Sequence, residues 1–521
     1  MARFNPRTGA FYLGNHRINL HRVTGMEYSD MVAYNLPDAI KLLNTLRDNV
    51  PQYKWYDENV AFATEHYNNY TGNVSVGVSV GGTQAGTASA QSPTSSVTSS
   101  SSTGQMINST SNVEPIPIVY GRTRVGGNRV YIESSNGSGD TSGSNYLNMI
   151  FSVCEGEMAD PYQMYFDDVL VWDSTQSGTI NASTGEFENF LSSVYTSSFN
   201  DTGTSFIWHN GADDQTVDTI IQTSVGSSEW SNDHRLRGVA YLACKIKANP
   251  AVYQGGLPLI TIVTNGKSSM STVPTKSGAT THDVNPVDVL YDYLTNSRYG
   301  RGLNDSDLDL DSFKAAWDDC NGTYQINGTV DTNVQVYDNV RIILQAMNGY
   351  LIYINGKYKL KIKKRNETSV KTFTTDEILS GVTLGLSGKK GRLNKVVVEY
   401  KNDSSEKLYN TDIVIDSNAT YLTEDNDVEL QAKMSYALIN DQDLVEDMAE
   451  FVLDSSRKTM SLSFSAAHTA LKVECGDIIT LELDEFGWSD GKEFRVLNTI
   501  ITTENTIEFE CIEYDSTLGL V

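Results

Sequence analysis

Positive charge is scarce in this sequence. Lys and Arg number 39 against 65 Asp and Glu, a formal net charge of −26. Nonspecific hold on nucleic acid rests on Lys and Arg neutralising phosphates, so this balance opposes it. Cysteine is rarer still. Cys154, Cys244, Cys320, Cys475 and Cys511 are single, odd in number and never in C-x-x-C spacing. They read as small buried hydrophobes rather than as disulfide partners or metal ligands. Proline contributes only 11 residues of 521. No apolar run approaches the ~20 residues of a membrane span. The opening MARFNPRTGAFYLG lacks a secretory core, so export by a signal peptide is not expected. Charged residues of both signs make up 20%, and Ser, Thr, Asn, Gly and 28 Tyr fill the space. That is the texture of strand-and-loop proteins rather than of helical bundles. The length suits roughly three or four domains of ~100–200 residues each.

The chain divides by composition. Residues 1–66 form an N-terminal segment with one helix, in which Pro37 suits the first turn and Ile40, Leu43 and Leu46 repeat at helical spacing. From Tyr67 to Val113 no residue is charged, and Ser92–Thr103 is Ser or Thr except for Pro93 and Val97. Such a stretch cannot bury enough surface to offset its chain entropy, so 67–113 reads as an arm or linker that needs neighbours. Region 114–275 is a first β-rich region. Its strands fall at Ile116–Tyr120 and Val130–Ile132, flanking a turn at Gly126–Gly127, then at Tyr146–Val153, Val169–Trp172, Gly238–Lys247 and Leu259–Thr264. Region 276–400 mixes helices and strands. Asn285 and Pro286 open a helix to Thr295, and further helices cover Ser312–Cys320 and Val334–Met347. Asn355–Gly356 turns a hairpin between Tyr350–Ile354 and Lys357–Lys363, and Val396–Tyr400 is a strand. Region 401–521 holds a strand at Asp412–Ile415 and an amphipathic helix over Asp427–Ser455, with a break allowed at Asn440–Asp443. Strands follow over Met460–Cys511, with turns at Phe486–Gly487 and Asp490–Gly491. The fold class expected is β-rich α+β and multidomain.

Several patterns invite a chemical reading, and each has a simpler one. Thr261–Ser268 ends like a phosphate-binding loop, but Thr261 stands where that motif needs glycine. A strand ending in a Gly-Lys turn explains it. Asp305, Asp307, Asp309 and Asp311 alternate as in a calcium loop, yet Leu310 and Ala316 fill the Gly and Glu positions of an EF-hand. Capping of the helix at Ser312 accounts for them. His16, His21, His66, His209, His234, His282 and His468 are scattered without ligand spacing. Asp233–His234 beside Trp230 is the most catalytic in appearance, but no nucleophile motif accompanies it. Glu155, Glu157, Asp167 and Asp168 could supply an acid pair of the glycosidase type if one of each couple met across a bond. No catalytic, cofactor-binding or metal residue is assigned, and no cofactor is implied.

One set of blocks does carry a family likeness. Val113–Gly127 (VEPIPIVYGRTRVGG) resembles the P-I-P-x-V-Y-G-x-x-x-V-G-G block of tail-tip hub proteins of long-tailed bacteriophages, the lambda-type tip attachment protein and its relatives. Leu147–Asp168, Trp230–Tyr241, Asn285–Gly302, Asn394–Tyr400 and Val473–Trp488 resemble further blocks in the family's order. The likeness runs over roughly residues 113–515, and the ordered set is specific where a single block would be weak. The first 112 residues match nothing in the family.

The resemblance implies hub-type β-barrel domains, with 401–521 carrying the closing barrel strands. It implies a structural virion protein, a homotrimer at the distal end of the tail, below a ring of distal tail protein and against the end of the tape-measure protein. DNA would pass through its channel without stable binding, and an acidic chain suits a lumen to which DNA does not stick. A strand pair at Glu493–Ile501 and Thr506–Glu513 would complete a barrel edge, leaving receptor recognition to a separate fibre or receptor-binding protein. The tail Asp515–Val521 is apolar enough to seat in a partner or a neighbouring subunit, and a frayed terminus is the equal alternative. Two other functions fit less of the pattern: a receptor-binding adhesin, and a hub with cell-wall hydrolase activity.

Overall fold

The computed structural model describes the strands at 2–5, 10–13 and 16–19, residues 108–110, and residues 114–520. Short stretches within the last range are excepted: 143, 196–198, 200–202, 250–251, 254–255, 275–283, 387–390, 459 and 503–504. The helix expected around Pro37 and nearly all of the uncharged 67–113 segment lie outside the described residues. Contacts divide the chain into two units, Met1–Ala88 and Ser89–Val521. In the first, Ala2–Asn5, Ala10–Leu13 and His16–Asn19 form an antiparallel meander.

The second unit is built of three bodies. First comes a sandwich of two five-stranded sheets. One runs in the order Ser205–His209, Val239–Lys247, Tyr146–Glu155, Gly127–Ser135, Asn108–Ser109. The other runs Gly328–Val330, Ile118–Val125, Ile260–Gly266, Pro161–Phe166, Val169–Asp173. Side chains alternate across a strand, so each sheet has two working faces. Phe151, Val153, Leu242 and Phe206 from one sheet meet Val119, Met164, Phe166 and Ile262 from the other. The far face of the first sheet, with Ile150, Ile207 and Tyr241, is covered by the helix Thr219–Val225 and by Trp230.

The turn at Gly126–Gly127 differs from the expected one. Its flanking strands do not pair with each other; the chain crosses there from one sheet to the other. Gly127 has φ +102°, and a Cβ on it would stand 3.0 Å from the Ser152 carbonyl. The crossing therefore needs glycine.

The second body lies beyond Ile118 and Tyr120, on the outer face of the second sheet. It packs the helices Pro286–Thr295, Leu310–Cys320, Val336–Gln345 and Gln442–Ser455 around one apolar cluster with Val396, Val398, Tyr400 and Leu360. The single helix expected over Asp427–Ser455 is corrected here. Gln431–Tyr436 is a strand running parallel to Lys395–Lys401, and the helix begins only at Gln442. Asp441 caps it, accepting from the Asp443 amide at 3.0 Å. The cap sits inside the break that the sequence allowed.

The third body is the C-terminal barrel, with strand order Lys371–Thr374, Ile478–Leu483, Trp488–Ile501, Thr506–Glu513, Met460–Ala467, Thr383–Leu386. Phe373 and Phe464 stand on strands four places apart, about 19 Å in a flat sheet. Their ring centroids are 5.2 Å apart, which requires the sheet to curl onto itself. Ile378 bridges to Ala466 at the seam. The expected pairing of Glu493–Ile501 with Thr506–Glu513 is present within the longer strand. Asp490–Gly491 is not a turn but part of a bulge in that strand, where the register slips between Leu481 and Leu483 and Gly491 has φ +85°.

The tail after Glu513 packs on its own chain. Asp515 pairs with Lys458 at 2.5 Å, and Asn366 donates to the Ser516 carbonyl at 3.0 Å. Leu520 adds to the cluster of the second body. The tail is therefore held on its own chain and is not a frayed terminus. Among the described residues no helix is long and apolar enough to cross a membrane.

Candidate assembly centre

The patterns that invited chemistry resolve into structural roles. Thr261–Ser268 is the strand Ile260–Gly266 and its turn, and Gly266 (φ +71°) lies so close to Gly121 that a Cβ would stand 2.7 Å from that amide nitrogen. Asp309 caps the helix Leu310–Cys320 through the Ser312 amide, and Asp307 forms a capping box with Asn304. His234 stacks on Trp230 with ring centroids 4.6 Å apart, and its Nδ1 accepts from the Ser231 amide at 2.9 Å. His209 stacks on Tyr241 at 4.3 Å and bonds Asp218, the cap of Thr219–Val225, at 2.8 Å. His468 is exposed on a short 3-10 turn. The side chain of His16 and all of His21, His66 and His282 lie outside the described residues. All five cysteines are free thiols, and all but Cys475 are buried. Burial pushes the Cys154 thiol up to about 12.

The four acids do not form a glycosidase pair. Met158, next to Glu157, bridges Lys267 at one end of the strand Ile260–Gly266. The Asp167 amide bonds the Leu259 carbonyl at the other end. That strand separates the two couples by roughly 25 Å, against the ~5–9.5 Å over which a carboxylate pair works. Each acid has its own partner instead. Glu155 pairs with Arg298, Glu157 accepts from Asn210 at 3.2 Å, Asp167 from Tyr195 at 2.9 Å, and Asp168 from the buried Arg124 at 2.8 Å. Among the described residues no group of three or more His, Cys, Asp or Glu could hold a metal ion.

What the structure brings together is four of the six blocks. The helix Pro286–Thr295 carries two buried carboxylates one turn apart. Asp292 accepts from Tyr120 Oη and Tyr299 Oη, each at 2.7 Å, and from the Ser271 amide at 2.8 Å. Asp288 accepts from Trp317 Nε1 at 2.8 Å and from the Val273 amide at 2.9 Å. Burial, and then the Asp292 charge, raise the Tyr120 hydroxyl well above the ordinary tyrosine range, so it stays a donor. Lys267 lies 4.6 Å over the Tyr299 ring. Arg298, from the same block, reaches Glu155 across Gly238, where a Cβ would stand 2.1 Å from its guanidinium. The Gly156 amide bonds the Gly238 carbonyl at 2.7 Å, and the Glu155 amide bonds the Pro117 carbonyl at 2.9 Å. Four blocks, Val113–Gly127, Leu147–Asp168, Trp230–Tyr241 and Asn285–Gly302, thus lock into one centre between the sandwich and the helices.

A second tie runs beside it. Asn327 accepts from the Arg122 amide at 2.8 Å and donates to Asn440 at 2.9 Å, and Asn440 donates to the Arg122 carbonyl at 3.1 Å. Sequence reasoning named none of Asp288, Asp292, Arg298, Asn327 or Asn440 as functional. The signal for the first three was the Asn285–Gly302 block itself; nothing local marks the two asparagines.

No family model matches the chain. It is 22% identical over 461 residues to the baseplate hub protein pb3 of Escherichia phage T5, covering 77% of this chain and 47% of that protein. The chain therefore spans about half the length of that curated relative. Among solved structures, a chain of the virion of a native gene transfer agent particle matches with a TM-score of 0.57 and 13% identity. It covers 79% of this chain and 87% of that one, so the fold is shared. A tail protein from Neisseria meningitidis MC58 aligns over 76% of this chain and 93% of its own, at a TM-score of 0.30 and 10% identity. With four of the ordered blocks meeting in one packed centre, the chain is similar in sequence to a phage baseplate hub protein and shares its fold with a virion protein.

Proposed function

We propose that this chain is a non-enzymatic structural hub whose homotrimer closes the distal end of a bacteriophage tail. It joins the tail tube, through the distal tail protein, to the tape-measure protein above and to a separate fibre or receptor-binding protein below. The observation that carries this reading is the convergence of four hub-like blocks on the Asp292–Arg298 centre, where their side chains are spent on holding bodies together. Such a centre fixes the relative placement of two rigid bodies, which an assembly subunit needs. Rings of identical subunits are the usual closed solution to repeated heterologous contacts, which supports the trimer. The acidic balance of the chain supports passage of DNA without adhesion.

The test is mass measurement by light scattering of the purified full chain over a concentration series, with a density map of tails that contain it. Trimers in solution or threefold density at the tip are expected. Monomer at every concentration together with tip density of another symmetry overturns the proposal.

A further inference from the structure

Where the C-terminal barrel meets the hairpin of the second body the contacts are polar and ionic, while the tail after Glu513 adds Leu520 to the second body's apolar cluster. The apolar cluster inside the barrel and the cluster beneath the helices share no buried residue. Between them the loop 474–477 sits on the hairpin Gly349–Ile354 and Lys357–Ile362. Lys359 Nζ donates to Glu474 Oε2 at 2.6 Å. Lys361 Nζ donates to Asp477 Oδ1 at 2.5 Å and to the Cys475 carbonyl at 3.0 Å. Tyr350 Oη donates to the Gly476 carbonyl at 3.0 Å. From the barrel wall Arg495 reaches back, donating to Glu367 Oε1 at 2.6 Å and to Tyr350 Oη at 3.3 Å. Exposure falls from 26% at Lys359 to 10% at Arg495, so the row runs from the rim inward. Gly476 has φ +84°, and a Cβ there would stand 2.1 Å from Tyr350 Oη. Only glycine lets the loop close on the tyrosine.

We infer that the barrel, residues 371–386 and 460–513, is a hinged module, and that Lys359–Glu474, Lys361–Asp477 and Arg495–Glu367 form an ionic clasp that holds it shut. Opening this seam leaves the apolar cluster of each body in place, with the tail after Glu513 and its Leu520 staying on the second body as the tether, and water takes over the bonds of the separated charges. Interfaces of this kind permit relative motion of the bodies they join. Partly buried pairs are screened less than surface pairs, so release calls for ~1 M salt, where the Debye length falls to about 3 Å. The clasp follows from the geometry within one chain and does not depend on the hub reading.

The experiment uses the full chain with a donor–acceptor dye pair attached through unnatural residues at the exposed positions Asp490, on the barrel, and Ser405, on the body. Single-molecule energy transfer is recorded at 0.1 and 1 M NaCl. Wild type is expected to show one narrow population at low salt and a second, broader one at high salt. Lys359→Glu moves molecules into the second population at low salt, and Lys359→Glu with Glu474→Lys returns them. Gly476→Ala opens the clasp by steric contact rather than by charge. Near-ultraviolet circular dichroism of the aromatic cores stays unchanged throughout, which separates hinge opening from unfolding. One unshifted population for wild type at both salts overturns the inference, and that arm needs no variant to fold. Loss of the near-ultraviolet signal in step with the energy-transfer change also overturns it, because the two bodies would then come apart only by melting.

Discussion

Alkaline pH should unfold this protein abruptly, and buried tyrosines set the steepness. Tyr120, Tyr241, Tyr293, Tyr324, Tyr400 and Tyr436 are each no more than 3% exposed. Burial is the first cause raising each hydroxyl above its ordinary value near 10, with nearby carboxylates adding to it at Tyr120, Tyr241, Tyr324 and Tyr400. The sign follows from linkage. Below pH ~10 both folded and unfolded chains keep these protons, and the stability is whole. Above it the unfolded chain loses them first, so stability falls until the raised folded values are reached. Each such tyrosine costs about 1.4 kcal/mol per pH unit in that window. Six together give roughly 8 kcal/mol per unit, against a typical stability of about 5–15 kcal/mol. Unfolding is therefore expected between about pH 11 and 12. The assay is tyrosinate absorbance at about 295 nm, recorded with far-ultraviolet circular dichroism on the same sample. The expected trace has a step in which tyrosinate absorbance rises and strand signal falls together. A smooth titration of all tyrosines near pH 10 with the strands intact would refute the reasoning.

Three substitutions test the packing. Gly238→Ala forces a residue with φ +74° to carry a Cβ against Arg298; it should cost about 2 kcal/mol or more by denaturant titration, and Arg298→Ala in the same background should recover part of the steric share. Phe373→Ala removes a ring that meets Phe464 and Phe509 across the barrel and should cost about 3–5 kcal/mol, read as faster hydrogen exchange in the barrel strands with the sandwich unchanged. Asp309→Ala strips the cap from the helix Leu310–Cys320 and should cost about 0.5–2 kcal/mol in thermal unfolding, whereas Asp309→Asn should cost little.

The sequence by itself determined the local pieces of this protein. Asn285 accepts from the Val287 amide at 2.9 Å, as its place before Pro286 implies. Asn355 and Gly356 take φ +53° and +81°, the values a two-residue hairpin demands. A cap or a turn is settled by residues two or three positions apart, so composition and spacing suffice. Gln431–Tyr436 went the other way. Its apolar residues fit a helix extended backward from Leu444, and only pairing with Lys395–Lys401 makes it a strand. The centre was visible as ordered blocks but not as a centre, because Tyr120 and Asp292 stand 172 positions apart and Arg122 and Asn440 stand 318 apart. Whether Glu155 faced an acid or an arginine, whether Gly127 turned a hairpin or crossed a sandwich, and whether the last sheet stayed open or closed through Phe373 were decided only in three dimensions. Each depends on which distant segment packs alongside, and a buried carboxylate or glycine takes its meaning from that neighbour.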